Sequence, residues 1–283
     1  MTREINKVSI LIIVIFLILI LFIKSYYFSR PNYSFRIYYN KINSSILDEM
    51  GNYDINIVEA SFFTKEDVDI IHSKNSKVIG YLSLIEIGSW DLTLNQKIKD
   101  EDFLKDSNNK RLMNLSENNY LGNLFSDNFK NALLDILKTR IIDKNMDGVF
   151  FDTLDWIDYY KNDTTIYNQL ITGYKDFIKQ VKELYPELMI IQNRSFTSYN
   201  NFSKKYVDGL LWENFNSPYI ENDETEIKML KSIKRNSFLY KTNIFVLSFI
   251  NEDINRELSK KLKWNFLFSQ MEKRYSNWNV ETR

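Results

Sequence analysis

The chain has no cysteine, so disulfides and thiolate metal sites are excluded. It has one histidine, His72, in a helix-like stretch expected at the surface, which leaves no histidine-based metal or Ser/His/Asp set. Its 7 glycines and 3 prolines form no phosphate-binding loop, no Gly-x-Ser-x-Gly elbow and no low-complexity linker. There is no excess of either charge: 37 basic and 37 acidic residues give a formal net charge of zero and no basic face for nucleic acid. Asp143 to Gly148 resembles the start of a calcium loop, but Leu154 stands where the bidentate acid belongs. No metal and no cofactor are expected. The richness in Ile, Asn, Lys and Tyr carries no functional message.

One long apolar run is present. Val8 to Ile23 is apolar on every face apart from Ser9, which argues against a core helix. Arg3 and Lys7 precede it, Lys24 can snorkel, and Tyr26, Tyr27 and Phe28 can sit at an interface. Lys24-Ser25-Tyr26-Tyr27 is a poor cleavage site, so the expectation is an uncleaved single-pass anchor over residues 1–30, in the lipid bilayer through residues 8–23. Basic residues flank both sides. A short N-terminal tail before a single span favours a cell-membrane protein with its body extracytoplasmic.

Residues 31–283 have the size of one (β/α)8 barrel. Strand-like runs are Phe35–Tyr39, Asp54–Glu59, Lys77–Leu82 continuing to Glu86, Gly148–Asp152, Leu188–Asn193, Gly209–Glu213, Ile244–Phe249 and Asn265–Phe268. Helical periodicity fills Asp127–Lys144 and Tyr167–Leu184, with shorter helices at Lys65–Lys74, Asp223–Ser232 and Glu252–Lys261. Alternating strands and helices in this length predict an α/β fold, a TIM-type barrel preceded by the transmembrane helix. Trp90 to Phe125 is long for a loop and is expected over the barrel mouth.

Two segments share one pattern. Asp147-Gly148-Val149-Phe150-Phe151-Asp152 and Asp208-Gly209-Leu210-Leu211-Trp212-Glu213 each read as a turn, a buried strand and a terminal acid. Carboxylates at the C-terminal ends of parallel strands lie where such sheets do chemistry, and a pair suits glycosidic bond cleavage. A single strand-end acid is as easily a helix cap, but two in the same context favour function. Asp155 could bind a hydroxyl or cap a helix, and Trp156, Trp212 and Trp90 offer faces for sugar rings or for packing. Tyr81, Ser83 and Glu86 end the third strand with polar groups. Glu59 and Asn193 close the second and fifth strands, where capping is the competing role.

Tyr81-Leu82-Ser83-Leu84-Ile85-Glu86, Gly148 to Asp155, Gln192-Asn193-Arg194 and Gly209 to Glu213 occur in the order found in endo-α-1,4-polygalactosaminidase-type glycoside hydrolases, which the chain resembles over residues 35 to 250. Tyr38-Tyr39 and Tyr53 to Glu59 are similar to the hydrolase domain of the Pel polysaccharide protein, a related barrel. The resemblance implies a (β/α)8 barrel cleaving α-linked galactosamine or N-acetylgalactosamine polymers. Asp152 and Glu213 match its catalytic acids, and Glu86 matches a residue that helps hold the sugar. Tyr38 joins the expected sugar contacts. Ile85 replaces a usual Gly, and Ser248-Phe249-Ile250 stands where a Tyr is frequent. The expected partners are an exopolysaccharide substrate and an exopolysaccharide synthase or export complex of the kind found in biofilms. The other reading is a non-catalytic polysaccharide-binding barrel in such an assembly.

Overall fold

The computed structural model describes residues 9–19, 32–270 and 275–278, in two units, Met1–Asn32 and Tyr33–Arg283. In the first unit, residues 9–19 are helical with exposed apolar side chains. Among the described residues no helix is long and apolar enough to cross a membrane. The rest of the predicted span, Val8 and residues 20–23, lies outside them.

The second unit is a (β/α)8 barrel. Its strands are β1 (Phe35–Tyr38), β2 (Ile55–Val58), β3 (Lys77–Ser83), β4 (Gly148–Asp152), β5 (Met189–Asn193), β6 (Gly209–Glu213), β7 (Asn243–Ser248) and β8 (Asn265–Phe268). They pair in parallel in that order. No ladder joins β8 to β1 among the described residues. The Tyr33 N–H instead donates to Asn265 Oδ1 at 2.7 Å.

Strand side chains alternate between two cores, which is why the strands read as unbroken apolar runs. Phe35, Ile37, Ile57, Phe150, Leu211 and Phe245 fill the barrel interior. Their neighbours Val58, Val149, Phe151, Leu210 and Val246 face outward to the helices. The helix Asp127–Leu137 buries Phe129, Leu133 and Ile136, and Thr164–Leu184 buries Leu170, Phe177 and Val181. Ser126 and Asp163 cap their N-termini.

The periodicity predicts a helix to Lys144. The α-helix stops at Leu137, and Lys138–Ile142 continues as a wider turn in which the Asp143 N–H reaches Lys138 O at 2.9 Å. Between β3 and β4 a small antiparallel sheet forms from Glu86–Ile87, Met113–Asn114 and Asn119–Leu121. This hairpin gives structure to the long loop that the sequence leaves irregular.

Candidate active site

The two Asp-Gly segments use one device twice. Asp147 Oδ2 accepts the Val78 N–H of the neighbouring strand at 2.8 Å, and Asp208 Oδ2 accepts the Ile190 N–H at 2.9 Å. A basic side chain braces each: His72 Nε2 lies 2.8 Å from Asp147, and Lys182 Nζ 3.1 Å from Asp208. His72 is thus not the freely exposed residue expected from its helix. Gly148 and Gly209 leave no room for a Cβ: one would come within 2.4 Å of Met189 O, the other within 2.8 Å of the Phe245 ring. Each segment so locks its strand at the lower end and sets the phase that turns its acid inward at the upper end.

At the upper end each strand breaks sharply. Thr153, Arg194 and Asn214, immediately after Asp152, Asn193 and Glu213, take φ of 65°, 47° and 59°. Thr153 is β-branched, so this backbone is strained by roughly 1–3 kcal/mol. Its hydroxyl is held by the Ile85 N–H at 2.9 Å and the Glu86 N–H at 3.2 Å. None of the described left-handed residues is glycine; asparagine supplies most of them.

The result is a cleft of about 430 Å³ at the barrel mouth. Asp152 and Glu213 face each other across it, with Asn193 between. The Asn193 amide nitrogen donates to Asp152 Oδ1 at 2.8 Å and to Glu213 Oε2 at 3.0 Å. At the ~120° spread of an amide NH2, the two oxygens stand about 5 Å apart. The Tyr81 hydroxyl donates to Asp152, and the Tyr275 hydroxyl to Glu213 Oε1. Tyr39 packs between, its ring centre 4.9 Å from that of Tyr81 and 5.3 Å from that of Tyr275.

Burial, and secondarily the charge of Glu213, push the Asp152 carboxyl from 3.8 up to about 7, against the lowering pull of Asn193 and the Thr153 N–H. Burial and the Asp152 charge raise Tyr39 and Tyr81 well above the usual phenol range, so both remain protonated donors.

Of the residues expected from sequence, Tyr81, Glu86, Asp152, Asp155, Trp156, Asn193 and Glu213 line this cleft, as does Trp90. Glu86 is already engaged. Its Oε1 accepts from Asn114 Nδ2 and Trp156 Nε1, both at 2.8 Å, and its Oε2 from Asn119 Nδ2 at 2.9 Å. It ties the hairpin to Trp156.

Four expected contacts lie off the cleft. Tyr38 and Trp212 are one residue out of phase with the mouth and point outward. Tyr38 donates to Lys41 O at 2.8 Å, and Trp212 packs against Phe196, Phe215 and Trp264. Glu59 caps a short helical turn through the Ser61 N–H at 3.0 Å. Ser83 holds the turn beneath the cleft, donating to Glu86 O at 2.7 Å. The sequence reading missed Tyr39, Asn114, Asn119 and Tyr275 as cleft residues. Period-two alternation from Phe35 and Ile37 points to Tyr39; nothing local marks the others.

The sequence pattern of glycoside-hydrolase family GH114 matches residues 24–238. The fold is similar to the glycoside hydrolase domain of PelA from Pseudomonas aeruginosa, with 16% identity, 88% of this chain and 99% of that chain covered, and a TM-score of 0.69. It is similar to Aspergillus fumigatus Ega3, solved in complex with galactosamine, with 16% identity, 89% and 95% covered, and a TM-score of 0.66. A Thermus thermophilus α-galactosidase shares the barrel more distantly, with 10% identity, 84% and 58% covered, and a TM-score of 0.54. No curated protein matches the chain.

Proposed function

Because this chain belongs to glycoside-hydrolase family GH114, we propose that its cleft hydrolyses an α-linked galactosamine or N-acetylgalactosamine polymer with retention of configuration, using Asp152 and Glu213. The observation that carries this reading is the shared Asn193 donor. It sets the nearest oxygens of the two carboxylates about 5 Å apart, which supports the short spacing of a nucleophile and an acid/base over the ~6.5–9.5 Å of inverting enzymes.

Asp152 is the nucleophile in this account. Its donors Asn193, Tyr81 and the Thr153 N–H stabilise the anion that attacks the anomeric carbon. The leaving oxygen departs with the proton of Glu213. Glu213 then takes a proton from water, whose oxygen displaces Asp152 and restores the pair. The raised Asp152 carboxyl means that the free pair keeps one proton up to about pH 7. The assignment requires that proton to pass to Glu213 when the sugar binds, leaving Asp152 as the attacking anion.

Among the described residues, Glu86, Glu117, Asp155 and the catalytic pair line the cleft against one basic residue, Arg194. This charge balance suits the ammonium of a de-N-acetylated galactosamine, the sugar bound in the Ega3 structure. Val8–Ile23 reads as a membrane anchor that keeps the barrel outside the cell beside exopolysaccharide synthase or export proteins.

Incubation of the protein with acetylated and de-N-acetylated galactosamine polymers tests the activity. Wild type should shorten them, and Asp152→Asn and Glu213→Gln should not, with folds unchanged. Binding without shortening by wild type would instead select a lectin-like barrel.

A further inference from the structure

The described C-terminal residues Tyr275 to Trp278 pack against β1, beyond the end of the family match at residue 238. They grip both faces of β1. On its outer face, Trp278 is 8% exposed, set edge-on to Tyr38 at 5.3 Å and 4.9 Å from the Arg36 guanidinium. The Trp278 Nε1–H donates to Glu49, and Trp278 O accepts from Arg36 Nη2. At the mouth, the Tyr39 N–H donates to Tyr275 O at 2.7 Å, and Asn40 Nδ2 to Ser276 O at 3.1 Å. The segment therefore arrives at the cleft with its backbone fixed, and it presents the Tyr275 hydroxyl to Glu213 Oε1.

We propose that Tyr275 is a positioning residue for Glu213, and that docking of the C-terminal segment through Trp278 completes the active site. The inference rests on the reading of Glu213 as acid/base. Asn193 holds one oxygen of Glu213 and Tyr275 the other, so together they fix the plane of its carboxyl. Without Tyr275 the group can turn about its last torsion, away from the leaving oxygen.

The groups facing Glu213 are Asp152 on β4, Asp155 just beyond it with Arg194 opposite, and Tyr39 at the end of β1; Tyr81 on β3 faces Asp152. All of them stay when Tyr275 loses its hydroxyl. The loss takes one donor from the ionised pair, which disfavours that form.

The test is the pH profile of kcat/KM for the full chain, for Tyr275→Phe, for Trp278→Ala and for the double variant, on one galactosamine oligomer. Phenylalanine keeps the ring contact with Tyr39. The account expects Tyr275→Phe to move the profile up by about one pH unit and to lower kcat about tenfold, with KM within about twofold. Trp278→Ala should reproduce the shift, and the double variant should add nothing. A Tyr275→Phe profile that overlays wild type overturns the proposal, as do additive effects of the two changes. If Trp278→Ala fails to fold, Tyr275→Phe alone decides. Wild-type turnover by Glu213→Gln ends the underlying catalytic reading. An inactive Glu213→Gln beside an unshifted Tyr275→Phe ends only this inference.

Discussion

Asp152→Asn should make the protein more stable above neutral pH while removing its activity. In the folded chain the carboxyl ionises at about 7, against an ordinary value of 3.8. A raised folded-state value means that stability is fully present below about pH 4 and is lost as pH rises through 7. At 1.36 kcal/mol for each unit, the penalty on ionised Asp152 approaches ~4 kcal/mol above pH 7. Asp152 is only half-buried, and water in the open cleft reduces this. Asparagine also sets an amide NH2 against the Thr153 N–H, which costs about 1 kcal/mol. The net gain expected at pH 8 is roughly 2 kcal/mol, shrinking towards zero or below at pH 4. Urea unfolding of both proteins at pH 4, 6 and 8 measures it. A stability difference that does not change with pH, or one that turns against the variant as pH rises, would refute the reasoning about the Asp152 carboxyl.

Three further outcomes follow from the same geometry. The active form carries one proton on the pair, so kcat/KM should fall above about pH 7, where Asp152 loses it; a profile still flat at pH 9 contradicts the shared proton. Trp212→Ala should cost about 3–5 kcal/mol in urea unfolding, because the side chain is buried against Phe196, Phe215 and Trp264 and does not line the cleft. KM should change little in the folded fraction, and a large KM rise at unchanged stability would place Trp212 on the sugar. Glu86→Ala frees Trp156 and both hairpin asparagines, so KM for the polymer should rise about tenfold with a smaller change in kcat. A kcat collapse at constant KM would place Glu86 in the chemistry.

The barrel was legible because strands buried on both faces are written as continuous apolar runs between turn residues, and the two Asp-Gly segments mark where two of them start. The acids were legible for the same reason: a carboxylate after three apolar residues needs a use. Phase within the strand was not. Tyr38 and Tyr39 are equally aromatic, and only the inward set of Phe35 and Ile37 shows that Tyr39 faces the mouth. Trp212 beside Glu213 is the same error of one residue.

The helix Glu224–Tyr240 runs well past the predicted Ser232, because its last turns bury Asn236 and Ser237 in place of apolar residues. Asn236 donates to Asn200 Oδ1 at 2.7 Å, a contact that no stripe reveals. The hairpin residues Asn114 and Asn119 lie in strands of two and three residues, too short to show any period. Tyr275 reaches Glu213 across 62 positions of sequence.

The most direct test of the two-carboxylate account is the anomeric form of the first product. Fresh enzyme and an α-linked galactosamine oligomer, followed by proton NMR before mutarotation, should show the α-anomer of the new reducing end appearing first. The β-anomer first would mean that water attacks directly, and that Asp152 and Glu213 do not work as the close pair that Asn193 holds.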